Sequence, residues 1–191
     1  RLSGELLAEA TKGIDFSYTD PAAGRFRCSA YCALGQLGMT MRSIRSDIPT
    51  LEQLHLPSIL TDIALSERGL TLVTGTTGSG KSTTLAAMID EINQTRTSHV
   101  MTIEDPIEYL HRNIQSSISQ REIGPDTASY NAALRAALRQ DPDVILVGEV
   151  RDSEAADIGM KATEPGHMVF STIHTTDASK SVVRLLSMFP S

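Results

Sequence analysis

The sequence predicts an α/β fold built on a mostly parallel sheet, and three observations carry that prediction. From about residue 51 onward, short apolar runs alternate with segments of helical period, the order expected when helices cover both faces of a parallel sheet. "VILVG" at residues 144–148 is apolar without alternation, so it reads as a strand buried on both faces. "LTLVTG" at residues 70–75 passes directly into a glycine-rich turn and then a helical segment.

The elements follow in order. Residues 14–45 read as three strands, "IDFSY", "RFRCSAYCAL" and "GMTMRSIR", joined by "TDPAAG" and "GQLG", which carry proline and glycine turn chemistry. Three short strands bury too little apolar surface to be stable alone. Residues 1–46 are therefore expected to be the C-terminal part of a small N-terminal domain. "SDIPT" at residues 46–50 reads as the linker, leaving residues 51–191 as the main domain. There the strand "LTLVTG" is followed by the helix "KSTTLAAMIDEIN" and the strand "VMTI" at residues 100–103. The helix "TASYNAALRAALRQ" has apolar positions at Tyr130, Ala133, Leu134, Ala137 and Leu138, the helical spacing. After "VILVG" come the helix "SEAADIGMKA", the strand "HMVFSTI" and the helix "DASKSVVRLLSM". Ligands of such sheets sit at the carboxyl ends of the strands.

Composition narrows the function classes. The chain has 191 residues, a formal net charge of -6 and 4% aromatic residues. Neither a basic run nor an aromatic-rich stripe is present, which argues against a protein that grips nucleic acid. Cys28 and Cys32, the only cysteines, fall on one strand face with Phe26 and Ala30 and read as buried reduced thiols, as in the cytosol. The opening "RLSGELLAEATKG" has no signal-peptide core, and no apolar run is long enough to span a bilayer, so a soluble intracellular chain is expected.

The chemistry concentrates in four places. "GTTGSGKST" fits the pattern G-x-x-x-x-G-K-[ST] through Gly75, Gly80, Lys81 and Ser82. Such a loop turns its backbone N–H groups around a phosphate chain at the positive end of a helix. Gly75, Thr76, Thr77, Gly78, Ser79, Gly80, Lys81, Ser82 and Thr83 are thus expected to bind ATP. Lys81 reaches the terminal phosphates and the Ser82 hydroxyl ligates Mg²⁺. "DPDVILVGEVRD" delivers Glu149 past the end of a buried strand, where it can hold Mg²⁺ partly through water. "VMTIEDPIEYLHR" sets Glu104, Asp105 and Glu108 at the end of another strand, expected to neighbour the phosphate-loop strand. Glu104 there is placed to polarise a water against the terminal phosphate. Three acids beside a triphosphate call for compensating cations. "GHMVFSTIHTTDA" puts His174 at the end of a core strand as a phosphate sensor and His167 near its start. Arg27 and Arg42, on adjacent strands of the first domain, are candidate arginine fingers.

Taken together, "GTTGSGKSTTLAAMID", "TIEDPIEY", "ISQREIG", "ALRAALRQDPDVILVGEVRD" and "GHMVFSTIHT" resemble the secretion ATPase superfamily of type IV pilus and type II secretion motors, over nearly all of residues 13–190. The resemblance implies a RecA-like P-loop NTPase domain preceded by part of a small mixed α/β, PAS-like domain. It implies that Glu104 is the catalytic glutamate, Glu149 the Walker B acid, and His167 and His174 the His-box pair. The fifteen-residue spacing of Arg27 and Arg42 matches the family's two N-domain arginines. It further implies a hexameric ring, an inner-membrane pilus platform protein as partner, a cytoplasmic location peripheral to the membrane, and a helical subdomain after residue 191. "GRFRCSAY", "DIPTLEQLHLP" and "RLLSMFPS" point to the branch that retracts type IV pili for twitching motility, since extension and secretion members typically read "DMGVEP" at the last position. "KATEPGH" departs from the family's "AETGH" at Pro165. The alternatives are an extension or type II secretion ATPase and, in another class, a non-catalytic nucleotide-binding module. "LSGE" at residues 2–5 precedes the phosphate loop and does not support an ABC-type reading.

Overall fold

The computed structural model describes residues 13–150, 152–164, 166–175 and 177–189. The opening segment with "LSGE", Arg151, Pro165 and the terminal Pro190 and Ser191 lie outside the described residues. The chain divides into two compact units, Arg1–Ser46 and Asp47–Ser191.

The first unit is an antiparallel sheet of β1 (Ile14–Asp20), β2 (Gly24–Ala33) and β3 (Gln36–Ser43), in that spatial order. Asp20 Oδ1 accepts from the backbone N–H groups of Ala22 and Ala23, both at 2.8 Å, and closes the first turn. Those two bonds hold the Asp20 carboxyl below its ordinary range. The expectation of two buried thiols is half met. Cys28 is buried and its thiol is pushed up by desolvation, whereas Cys32 is exposed. The covered part of β2 ends at Ala30, and Cys32 lies beyond it beside the hairpin turn at Leu34 and Gly35.

The second unit carries five parallel strands, β4 (Gly69–Thr74), β5 (His99–Glu104), β6 (Ser117–Glu122), β7 (Val144–Val147) and β8 (Met168–Ile173). Their spatial order is β4-β8-β7-β5-β6, every pairing parallel. This corrects one expectation: the "VMTI" strand, β5, neighbours β6 and β7, and two strands separate it from the phosphate-loop strand β4. "SISQRE", not predicted as a strand, is β6.

Among the described residues, five helices flank the sheet: α1 (Ile59–Ala64), α2 (Lys81–Thr95), α3 (Tyr130–Ala137), α4 (Ser153–Thr163) and α5 (Ala178–Leu186). The pleat of β7 divides the core. Val144 and Leu146 join Leu85, Met88, Ile89 and Ile92 of α2, with Phe170 and Val100, on one face. Ile145 and Val147 join Ala133, Leu134 and Ala137 of α3, with Ile103 and Ala162, on the other. All four residues of "VILV" are buried, as an unalternating apolar run requires. Helices α3, α4 and α5 start where Ser129, Asp152 and Asp177 accept from the N–H of the third residue on, at 3.2, 2.8 and 2.8 Å.

The α2-side core sets how the phosphate loop meets the rest of the site. Phe170→Ala, at a side chain with no exposed surface, is expected to lower the unfolding free energy by about 3–5 kcal/mol, read from urea midpoints at unchanged m-value.

Candidate active site

The residues between β4 and α2 adopt conformations that demand glycine. Gly75, Gly78 and Gly80 have φ of 153°, 78° and 96°. A Cβ on Gly75 would stand 2.4 Å from Ser79 Oγ. The Lys81 ammonium is buried and donates to the carbonyl oxygens of Gly75 at 3.0 Å and Thr76 at 2.9 Å, folding the loop across the helix start. Helix α2 begins on Gly80 with no side-chain cap, so its first N–H groups and its positive end are presented to an anion.

A cavity of ≈ 320 Å³ opens above this loop, within the range of small-molecule sites. Of the residues that the sequence singles out, Thr77, Gly78, Gly80, Lys81, Ser82, Thr83, Glu104, Asp105, Glu108, Glu149 and His174 line it. Gly75, Thr76 and Ser79 shape the loop from behind. His167 is elsewhere: its Nδ1 lies 2.7 Å from the Ala162 carbonyl at the start of β8. The six residues of that strand put it roughly 20 Å from the strand's carboxyl end. Arg27 and Arg42 belong to the first unit, where they stand directly opposite each other in the β2–β3 register. Like charges so paired repel, and Asp15 Oδ2 lies 3.6 Å from Arg27 Nη2.

Glu149 is held by the strands on either side. Gly148 N–H donates to the Ile103 carbonyl at 2.8 Å and Val150 N–H to the Thr172 carbonyl at 3.0 Å. The Thr172 hydroxyl donates to the Gly148 carbonyl at 2.6 Å. A side chain at 148 would meet the Tyr130 hydroxyl at 3.1 Å and the Ile103 carbonyl at 3.3 Å, so glycine lets β5 and β7 close beside the acid. Glu149 Oε1 lies 3.6 Å from His174 Nε2.

Glu104 ends β5 with its carboxylate largely removed from water. Burial raises its pKa, opposed by hydrogen bonds from Thr102 and Gln120 and from the Glu108 backbone, while the Glu108 charge raises it further. The Thr102 hydroxyl at 2.6 Å and Gln120 Nε2 at 3.2 Å both donate to Oε1. Glu108 is exposed at the same cavity.

Several lining residues carried no sequence signal. Tyr109, buried, reaches the Thr83 hydroxyl at 2.9 Å. His111 lies two residues further on, with Nδ1 buried and unpartnered; desolvation lowers its pKa to about 4 against the opposing charge of Asp90. Tyr130 and Thr172 come from α3 and β8. No local spacing links them, since the sheet order alone brings them together.

The donor set fits a nucleotide triphosphate with magnesium. Backbone N–H groups and one ammonium face an anion, and one hydroxyl and one carboxylate suit a hard cation that keeps several water ligands. Among the described residues no cluster of three or more His, Cys, Asp or Glu forms a protein-only metal cage, and magnesium held mainly by phosphates needs none.

The family described as Type II/IV secretion system protein matches residues 34–190. A "Twitching motility protein" of Neisseria gonorrhoeae is 51% identical over 177 residues, 93% of this chain and 47% of that protein. A "Type IV pilus retractation ATPase PilT" of Pseudomonas aeruginosa is 47% identical over 176 residues, 92% and 51% of the two. The crystal structure of the pilus retraction motor PilT with bound ADP superposes at a TM-score of 0.93 and 45% identity, covering 99% of this chain and 56% of that one. The chain spans about half the length of the curated relatives it matches. It belongs to the type II/IV secretion system protein family.

The depressed His111 pKa has a consequence for stability. Between pH about 4 and 6.5 the unfolded chain binds a proton at this imidazole that the folded chain does not. The contribution is therefore complete above pH 6.5 and is lost as pH falls toward 4. Glu104, whose pKa is raised, slopes the opposite way, so the His111 part is isolated by difference. Urea unfolding from pH 4 to 7 is expected to show a rise in stability that His111→Gln lacks.

Proposed function

We propose that the chain is the nucleotide-hydrolysing part of a ring motor that retracts type IV pili, using ATP and Mg²⁺. The observation that carries this is the meeting, in one cavity, of an anion-binding loop, a strand-end acid for the metal and a glutamate largely removed from water. The names and extent of the relatives support the retraction branch over extension or secretion. A binding module without catalysis would have no use for Glu104 and Glu149 beside the phosphate loop.

The loop from Gly75 to Thr83 cradles the phosphates through backbone N–H groups, and Lys81 exchanges its carbonyl partners for phosphate oxygens. Ser82 and, through water, Glu149 hold magnesium, which when bound neutralises charge on the terminal phosphates. Glu104 takes a proton from water as the water oxygen bonds to the γ-phosphorus and the bond to ADP breaks. A pKa raised by burial suits that base. Glu108 adds a second carboxylate that orients the water. His174, beside Glu149, reports on the terminal phosphate. Arg27 and Arg42 supply positive charge to the transferring group, and an anion relieves the repulsion of their direct pairing. The first unit is read as the end of a small N-terminal domain, with the following unit as the ATPase domain. A hexamer of such chains, cytoplasmic and docked on an inner-membrane platform protein, completes the motor. No helix among the described residues is long and apolar enough to cross a membrane, and the proposed association with the membrane is peripheral.

The deciding experiment is Mg²⁺-dependent phosphate release from ATP across a range of protein concentrations. Specific activity is expected to climb with concentration, and Lys81→Ala to abolish it; equal release by Lys81→Ala would end the reading. Glu104→Gln keeps the acceptor that Thr102 and Gln120 use. It should lower kcat by roughly 10²-fold or more with ATP binding retained. Its melting temperature should not fall, because the cost of burying an ionised carboxylate is gone. Arg27→Ala should slow single-turnover hydrolysis by on the order of 10³-fold, with nucleotide affinity nearly intact.

A further inference from the structure

Residues 105–116 connect β5 to its parallel neighbour β6 without a helix, and this strap carries Asp105 and Glu108 along the cavity. At its far end, Asn93 of α2, fully buried, donates through Nδ2 to the Arg112 carbonyl at 2.7 Å and accepts at Oδ1 from Ile114 N–H at 3.1 Å. In the middle, the Tyr109 hydroxyl meets Thr83. Near the acids, one side chain does most of the holding. Gln120 of β6 donates through Nε2 to Glu104 Oε1 at 3.2 Å and to the Tyr109 carbonyl at 2.9 Å, while its Oε1 accepts from His111 N–H at 2.9 Å.

We propose that Gln120 is the positioning residue of this site, fixing the Glu104 carboxylate and the Glu108-bearing strap as one rigid unit. Three features favour an amide here. Both Nε2 protons and Oε1 are used, so the side chain has one amide orientation that satisfies all three partners. Gln120 and Thr102 both donate to Oε1, so the amide shares with the hydroxyl the task of fixing that oxygen. The bond from Gln120 also favours the ionised carboxylate against the burial and the Glu108 charge that oppose it. A glutamate at 120 would accept from His111 equally well. It would lose both donors and set a third carboxylate against Glu104 and Glu108.

This inference rests on the reading of Glu104 as the base, and Glu104→Gln tests that reading separately. For the positioning role the variants are Gln120→Glu and Gln120→Met. Both should bind a non-hydrolysable ATP analogue as the unaltered chain does. Both should lose roughly 10–100-fold in kcat with little change in KM. In Gln120→Glu the acid limb of the kcat–pH profile should move to higher pH, a shift that simple loosening of the fold would not produce. In Gln120→Met the amide of His111 should exchange with solvent faster, and the imidazole should titrate closer to its ordinary value by NMR. Unaltered kcat and an unmoved acid limb in folded Gln120→Glu would overturn the proposal. So would a His111 amide that already exchanges at random-coil rate in the unaltered chain, a test that needs no variant. Full turnover in Glu104→Gln would remove the base while leaving the His111 exchange result standing, so the two failures are distinguishable.

Discussion

Helix α2 is held against the sheet by Leu85, Met88, Ile89 and Ile92, packed on Val100, Val144, Leu146 and Phe170. Those buried partners come from β5, β7 and β8, while β4, the strand that delivers the phosphate loop, adds only the partly buried Val73. The helix therefore crosses beyond β8, the paired neighbour of β4, toward β7 and β5, which β4 does not pair with. Full burial of each of these side chains contributes about 1.5–3 kcal/mol, enough to fix the crossing. Glu104 and Glu149 reach the phosphate loop for this reason, with two strands between β4 and β5.

Concentrating acids at that edge is an electrostatic liability that the protein resolves unevenly. Glu149 sits where backbone bonds to Ile103 and Thr172 leave it no freedom of position, yet its carboxylate remains partly in water beside His174. Glu104 is the opposite case, desolvated and supported by Thr102 and Gln120. The two environments suit the two proposed tasks, since a metal-holding acid works from a solvated position and a base must hold a proton with some avidity. Lys81 shows the same economy: buried, it is satisfied by two loop carbonyls that a phosphate can replace.

Some of this was legible in the sequence and some was not, for physical reasons. The phosphate loop could be read because positive φ at Gly75, Gly78 and Gly80 excludes other residues, so geometry leaves a mark on composition. "VILV" could be read because burial on both faces forbids polar residues. The order of strands could not, as apolar periodicity reports burial and carries no information about neighbours. "SISQRE" escaped because β6 pairs on one side only, with β5, and its polar side chains do tertiary work, Gln120 among them. Cys32 misled because alternation predicts a face and cannot say where along a strand its cover ends. His111 and Tyr109 depend on how a strap lies over α2, which no local spacing encodes.

The strap itself explains why two side-chain amides, buried Asn93 and half-buried Gln120, matter more than their number suggests. A parallel crossover needs a dozen or more residues, usually wound into a helix that satisfies its own backbone. Here the twelve-residue stretch 105–116 lies against α2 unwound, and its polar backbone groups must find partners elsewhere. Asn93 supplies two, for Arg112 and Ile114, and Gln120 supplies two more, for Tyr109 and His111. A helix here would occupy the space through which Asp105 and Glu108 face the cavity. Extended backbone keeps that space open, at the cost of depending on side chains from α2 and β6 for its hydrogen bonds. The acids and the elements that fix the phosphate loop are thereby tied to the same two strands and one helix, so a displacement of α2 at the nucleotide must be felt at Glu108.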